Sequence, residues 1–274
     1  MNSDLAYVDG IIEEEIKDFA DKFFKDYCVG KAIKKGNILN KKNNIFIAAL
    51  GDDIAVYSAL MRSLDSSLGN RLEKIAKLIA EKNYIVKNGV EGYIPAESIN
   101  EIATLLEKYH NHSKKPEAND LELVYKAGSG GKSAISHEVS DYYLTLRSDP
   151  HQKFLIELKI GGDLDNKKAE SEKRALLQQY VVLRNSKEIT EGDVVKIFFC
   201  TAYNKYGEEA RWTQERVRQF FSDNEIKVGR DFWNFFCNSQ QGYEAVKSSY
   251  LKHAHYLKDT LKKIVEYFSQ SPSS

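Results

Sequence analysis

One nine-residue run, Val194-Val195-Lys196-Ile197-Phe198-Phe199-Cys200-Thr201-Ala202, constrains this chain more than any other stretch. Successive side chains of a strand point to opposite faces of a sheet, so a strand apolar at nearly every position must be covered on both sides. It belongs in the interior of a sheet held between helices, and the sequence around it supplies them. Ile12, Ile16, Phe19, Phe23 and Tyr27 recur at three- and four-residue spacing, as do apolar positions in 45–64, 72–82 and 98–109. Ser98 with Glu101 reads as a capping box, and the Lys-, Asn- and Gly-rich stretch 36–44 reads as a loop. Further helices are expected at 169–183, near Thr213, around Phe232 to Phe236, and over 243–268. In that last one Tyr250, Ala254, Leu257, Leu261, Ile264 and Phe268 form a narrow seam suited to one partner helix.

These readings give an α/β fold: a mixed central sheet flanked by helices, a helical N-terminal part and a long C-terminal helix. At 274 residues the chain can bury a large core. It is expected to form a single catalytic domain with a mainly helical part over 1–115, a core over 120–237 and the C-terminal helix over 240–270. The polar, proline-containing stretch 110–120 marks the boundary between the first two parts. No run reaches membrane-span length and the start lacks a secretory pattern, so a cytoplasmic protein with no membrane partner is expected. Cys28, Cys200 and Cys237 are too far apart and too few for a disulfide framework or zinc knuckle. Forty basic residues balance forty acidic ones, so net charge carries no nucleic-acid footprint.

From residue 121 the pattern turns β-like. Leu121 to Tyr125 reads as a short strand, 127–133 as a glycine-rich loop, and 139–147 with 153–160 as an antiparallel hairpin about Asp149-Pro150. On the second hairpin strand Glu157 and Lys159 share a face while Ile156, Leu158 and Ile160 point into a core. Burying an acid or a lysine at such a place is costly unless something pairs with it, and a metal ion with a phosphate would do so. Glu157 can ligate a divalent cation, the Leu158 carbonyl can add an oxygen, and Lys159 can hold an attacking water. Across the hairpin, position 141 falls opposite 157 or 158, so Asp141 can supply the second carboxylate. Its rival Asp149 is explained by turn chemistry.

Asp141 followed by Glu157-Leu158-Lys159 resembles the PD-(D/E)XK nuclease motif, and ELKIGGDLDNKKAESEKRALL (157–177) resembles type II restriction endonucleases. SSLGNRLEKIAKLIA (66–80), FCTAYNKYGEEARWT (199–213) and VGRDFWNFF (228–236) are similar to the TdeIII-like group of these enzymes. The first acid has no preceding proline, and 161–165 departs from the Lys-Pro-Asn pattern of that group. The resemblance implies a restriction-endonuclease-like core, Mg²⁺ held by Asp141 and Glu157, Lys159 as the catalytic lysine, and Glu73 as an additional acid near the metal. It also implies hydrolysis of double-stranded DNA at a short, palindromic sequence, leaving 5′-phosphate ends. A homodimer is expected, using the C-terminal helix, with a cognate DNA methyltransferase as functional partner. Other readings on the same core are a repair nuclease or junction resolvase, and a non-enzymatic DNA-binding protein.

Blander readings compete at each motif. Glu157 and Lys159 could be an exposed charge pair on an amphipathic strand. The loop 128–133 fails as a phosphate-binding loop because Lys126 stands where glycine is required. Lys132 could instead touch a phosphate. Lys167, Lys168, Lys173 and Arg174 could track the DNA backbone, or simply be a solvated face. Asp163-Leu164-Asp165-Asn166 fails as a calcium loop because Lys167 and Lys168 occupy ligand and glycine positions. The pairs His110/His112 and His253/His255 lack a third ligand, and Trp212, Phe232, Trp233, Phe235 and Phe236 read as core.

Overall fold

In the computed structural model, which describes residues 5–29, 34–129, 133–138, 142–160 and 166–269, the apolar run forms β6, Val194–Thr201, inside a five-stranded sheet. The order is β1 (Tyr84–Lys87), β4 (Tyr142–Leu146), β5 (Gln152–Lys159), β6 and β7 (Ile226–Val228). The first two pairings are antiparallel and the last two parallel. A separate antiparallel ribbon joins β2 (Val90–Pro95) to β3 (Ser133–Glu138). The mixed α/β architecture expected for the chain is the one it adopts.

Both faces of the sheet are covered, as β6 required. Tyr143, Leu155, Ile197 and Phe199 point to one side. They bury against α5 (Ala96–His110), α6 (Asp120–Ala127), α7 (Asn166–Arg184) and the short α8 (Glu215–Arg218), with Trp212, Phe220 and Phe221. On the other side Phe154 and Phe198 stack at 5.8 Å, and Phe235 of α9 (Arg230–Phe236) meets their edges at 5.0 and 5.3 Å. The Trp233 indole N–H donates to the Ala202 carbonyl at 2.8 Å. These aromatics are core, as expected. The hairpin turn is tied at its base: Asp149 accepts the His151 N–H at 3.2 Å, which is the turn role foreseen for it. Burial pushes the nearby Asp193 carboxyl up, but the Thr190 N–H, His151 and Lys153 outweigh that and hold it at about 2.

By contact pattern the chain divides into two compact units, residues 1–79 with 244–274 and residues 80–243. The stretch 110–120 is a connection between α5 and α6 inside the second unit. In the first unit α1 (Ala6–Cys28) buries Val8, Ile12, Ile16, Phe19, Phe23 and Tyr27. It packs against α11 (His255–Ser269), which buries Leu257, Ile264, Val265 and Phe268. The seam of the C-terminal helix therefore finds its partner within the same chain. That helix is also interrupted at Ala254, between α10 (Gly242–His253) and α11.

Other local expectations fail for identifiable reasons. The stretch 36–44 is largely helix: α2 (Lys35–Lys42), anchored by fully buried Ile38, with Lys41 and Lys42 favourably placed in its last turn. Asn44 then caps α3 (Ile45–Ala48), accepting the Phe46 N–H at 3.1 Å. The two helices expected at 45–64 and 72–82 are mostly one, α4 (Asp52–Asn83), of 32 residues. It runs through Gly69, whose cost of about 1 kcal/mol relative to Ala does not break a helix without a proline. Leu121 to Tyr125 is part of α6 and not a strand, because five residues cannot distinguish period 2 from period 3.6. Ser98 does not cap α5. It is buried and donates to the Val124 carbonyl at 2.7 Å. A Cβ at Gly128 would lie 2.5 Å from both Pro95 Cγ and Ser98 Oγ, so one glycine of the 127–133 loop is there for close packing.

Candidate active site

Glu157 and Lys159 stand at the carboxyl end of β5, where β5, β6 and β7 run parallel. In open α/β sheets this end is where loops leave room for ligands. The alternation works as read: Ile156 and Leu158 are buried in one face, and Glu157 and Lys159 share the other with Leu155. Glu157 is only 6% exposed. Lys159 Nζ lies 2.6 Å from Glu157 Oε1 and 3.2 Å from Glu172 Oε1. Glu172 comes from α7, the helix that leads from β5 to β6, and no expectation included it. Its only sequence signal is its position on a helix that must cross the face of the strand before it.

This geometry removes the bland reading of an exposed cross-strand pair. The three groups carry one negative charge more than positive, with one carboxylate almost wholly out of water. Such an excess is unfavourable unless a cation or more donors offset it. The donors are carboxylate and carbonyl oxygens, the hard set that suits Mg²⁺. Glu157 and the Leu158 carbonyl thus fit an oxygen-liganded divalent ion by the chemistry of their oxygens.

The remaining expected residues divide. Asp141 and Lys132 lie outside the described residues. The last described pair of the hairpin is Tyr142 opposite Ile156. Glu73 lies on the part of α4 that belongs to the first unit, while Glu157 belongs to the second. Lys167 and Lys168 are exposed in the first turn of α7. Arg174 pairs with Glu170 at 3.0 Å on the same helix. Lys173 does not face DNA. It is fully buried, 2.5 Å from Glu225 Oε1, with its ammonium 5.1 Å from the Phe221 ring. Burial pushes its pKa down, against the opposing pull of Glu225.

A concave, cationic surface of about 690 Å³ also went unread in the sequence, between the 112–116 segment and 211–223. Lys115, Arg211 and Arg216 line it and form no ion pair among the described residues. In the first unit, Asp9, Glu13 and His253 converge. There the Lys252 ammonium already holds Asp9 at 2.7 Å and pulls its carboxyl below the ordinary range, and His253 Nε2 lies 3.1 Å from the other oxygen. That group reads as an ion-pair network tying α1 to α10. His255 does diverge from His253, its Nδ1 lying on the Lys252 carbonyl at 3.0 Å.

Among the described residues no helix is long and apolar enough to cross a membrane. No curated protein and no solved structure matches the chain. The family model described as "Type II restriction endonuclease, HinfI" matches residues 8–254, nearly the whole chain and both units. The match supports that family and not the TdeIII-like group that the sequence fragments suggested. With a buried acid and a lysine at the end of a central strand and a match of this extent, the chain belongs to the HinfI family of type II restriction endonucleases, nucleases whose substrate is DNA.

Proposed function

We propose that this enzyme cuts both strands of duplex DNA at a short palindromic sequence, using Mg²⁺ and leaving 5′-phosphate and 3′-hydroxyl ends. The observation that carries the reading is the Glu157–Lys159–Glu172 cluster at the end of β5. In this reading Glu157, the Leu158 carbonyl and Asp141 hold the ion. Chain connectivity supports the last of these, because position 141 directly precedes Tyr142, which pairs with the residue before Glu157. The bound ion would supply Lewis-acid stabilisation of the charge that builds on the phosphoryl oxygens.

The protein's own groups do the rest. Glu157 and Glu172 fix the Lys159 ammonium from two sides, so its donors are aimed before substrate arrives. Lys159 orients the attacking water in line with the departing 3′ oxygen. Lys167 and Lys168, exposed at the N-terminus of α7, would meet phosphates with the helix dipole behind them. Lys115, Arg211 and Arg216 would take further backbone phosphates, where Lys173 cannot. Such contacts position the duplex without reading it. The chain would act in the cytoplasm beside a DNA methyltransferase that protects the same sequence.

The test is the ends of the products. Sequencing the fragments from plasmid DNA digested with Mg²⁺ should return one recurring palindrome, cut at a constant position, with 5′ ends that ligate without phosphorylation. Cuts scattered over unrelated sequences, or confined to branched junctions, would remove the proposal.

A further inference from the structure

We propose that two copies of this chain associate through the exposed apolar surface formed by α3 and the first half of α4, with Leu39 of α2 at its edge. Ile45, Phe46 and Leu50 are 73%, 78% and 65% exposed, and Leu39, Ile54, Tyr57 and Met61 between 41% and 49%. Ile54, Tyr57 and Met61 follow at i, i+3 and i+7, one stripe of α4. The opposite side of the same turns, Ala55, Val56, Ala59 and Leu60, is already buried. Apart from Ser58 the segment 54–61 is apolar on both sides, the pattern of a helix covered all round, yet one chain covers only half of it. Between residues 45 and 61 the only charged residues are Asp52 and Asp53, in a protein that is 29% charged. Depletion of charge is what distinguishes the centre of an interface.

Area identifies the occupant. At roughly 150–200 Å² for a fully exposed large side chain, the seven residues present on the order of 700 Å² of apolar surface. Taken together that approaches the ~800 Å² per partner of a stable interface. A second copy fits because an apolar patch whose only charges are Asp52, already paired with Lys42 at 2.6 Å, and Asp53 can meet itself across a two-fold axis. The argument rests in part on the endonuclease reading, since cutting two antiparallel strands symmetrically calls for two sites related by such an axis. The seam of α11, the other candidate, is occupied by α1.

Light scattering at micromolar protein without DNA should give about twice the chain mass of 31.3 kDa. Two double variants, Phe46→Glu with Leu50→Lys and Tyr57→Arg with Met61→Lys, should each raise the dimer Kd at least about 100-fold. Leu251→Glu, an isolated exposed residue of α10, should leave it unchanged. Far-UV circular dichroism identifies which variants stay folded, and Phe46→Ser replaces any that does not. On supercoiled plasmid the monomeric variants should nick more than they linearise. A monomeric wild type, as expected if another protein or DNA covers the patch, overturns the proposal. So does a dimer whose Kd the folded variants leave unchanged. Mass is read without substrate, so failure of the interface is distinguishable from failure of the endonuclease reading.

Discussion

Lys159→Ala is expected to lower the single-turnover rate of strand cleavage by about 10²–10⁴-fold while duplex binding changes no more than a few-fold. The ammonium sits 2.6 Å from Glu157 and 3.2 Å from Glu172, so its position is set by the protein before DNA binds. Truncation removes the donor that aims the water and leaves two carboxylates facing each other across the vacated space. Affinity for duplex DNA comes mainly from many phosphate contacts, and losing one cation costs little of it. Lys159→Arg should recover only a small part of the rate, because a planar guanidinium cannot occupy a point position between two carboxylates. Single-turnover kinetics and filter binding on one labelled duplex separate the two effects. A loss confined to binding, with the rate intact, would assign Lys159 to DNA affinity alone.

Lys173→Ala should destabilise the protein by about 3–5 kcal/mol, the cost of breaking a buried ion pair and leaving one partner charged and unpaired. Lys173 is fully buried and Glu225 nearly so. The second oxygen of Glu225 is already committed, accepting the Ser222 backbone N–H at 2.8 Å. The melting temperature should fall by on the order of 10 °C. Lys173→Met keeps most of the packing but still strands Glu225, so it should help little. Lys173→Met combined with Glu225→Gln should recover much of the loss, because neither charge is then left without its partner. Thermal unfolding of the four proteins checks this. Similar stability in the wild type and Lys173→Ala would mean that the pair contributes nothing.

The contrast between Lys159 and Lys173 shows what a single sequence can say. Both are lysines within fifteen residues of one another, and period-2 alternation placed the first correctly because strand direction follows from position alone. The second was misread. On a helix the buried face depends on which side meets the sheet, and nothing in the local sequence states that Glu225, more than fifty residues later, will face it. Glu172 was missed for the same reason. The both-face burial of β6 and the hairpin register were legible because the apolar pattern and the Asp149-Pro150 turn each admit few solutions. The helices α2 and α6 were not, since short polar segments take their form from one buried anchor such as Ile38 or Val124. The apolar surface of α3 and α4 was visible as periodicity, but its excess over what one chain can bury appears only once the folded neighbours are known.

If Glu157 lies in the centre that cleaves DNA, exchanging its carboxylate for an amide abolishes cutting. Digestion of one plasmid with Mg²⁺ by the wild type and by Glu157→Gln, at equal concentration and with equal duplex binding confirmed, tests it most directly. Discrete fragments from the wild type and intact plasmid from the variant are expected. Equal cutting by both would contradict it.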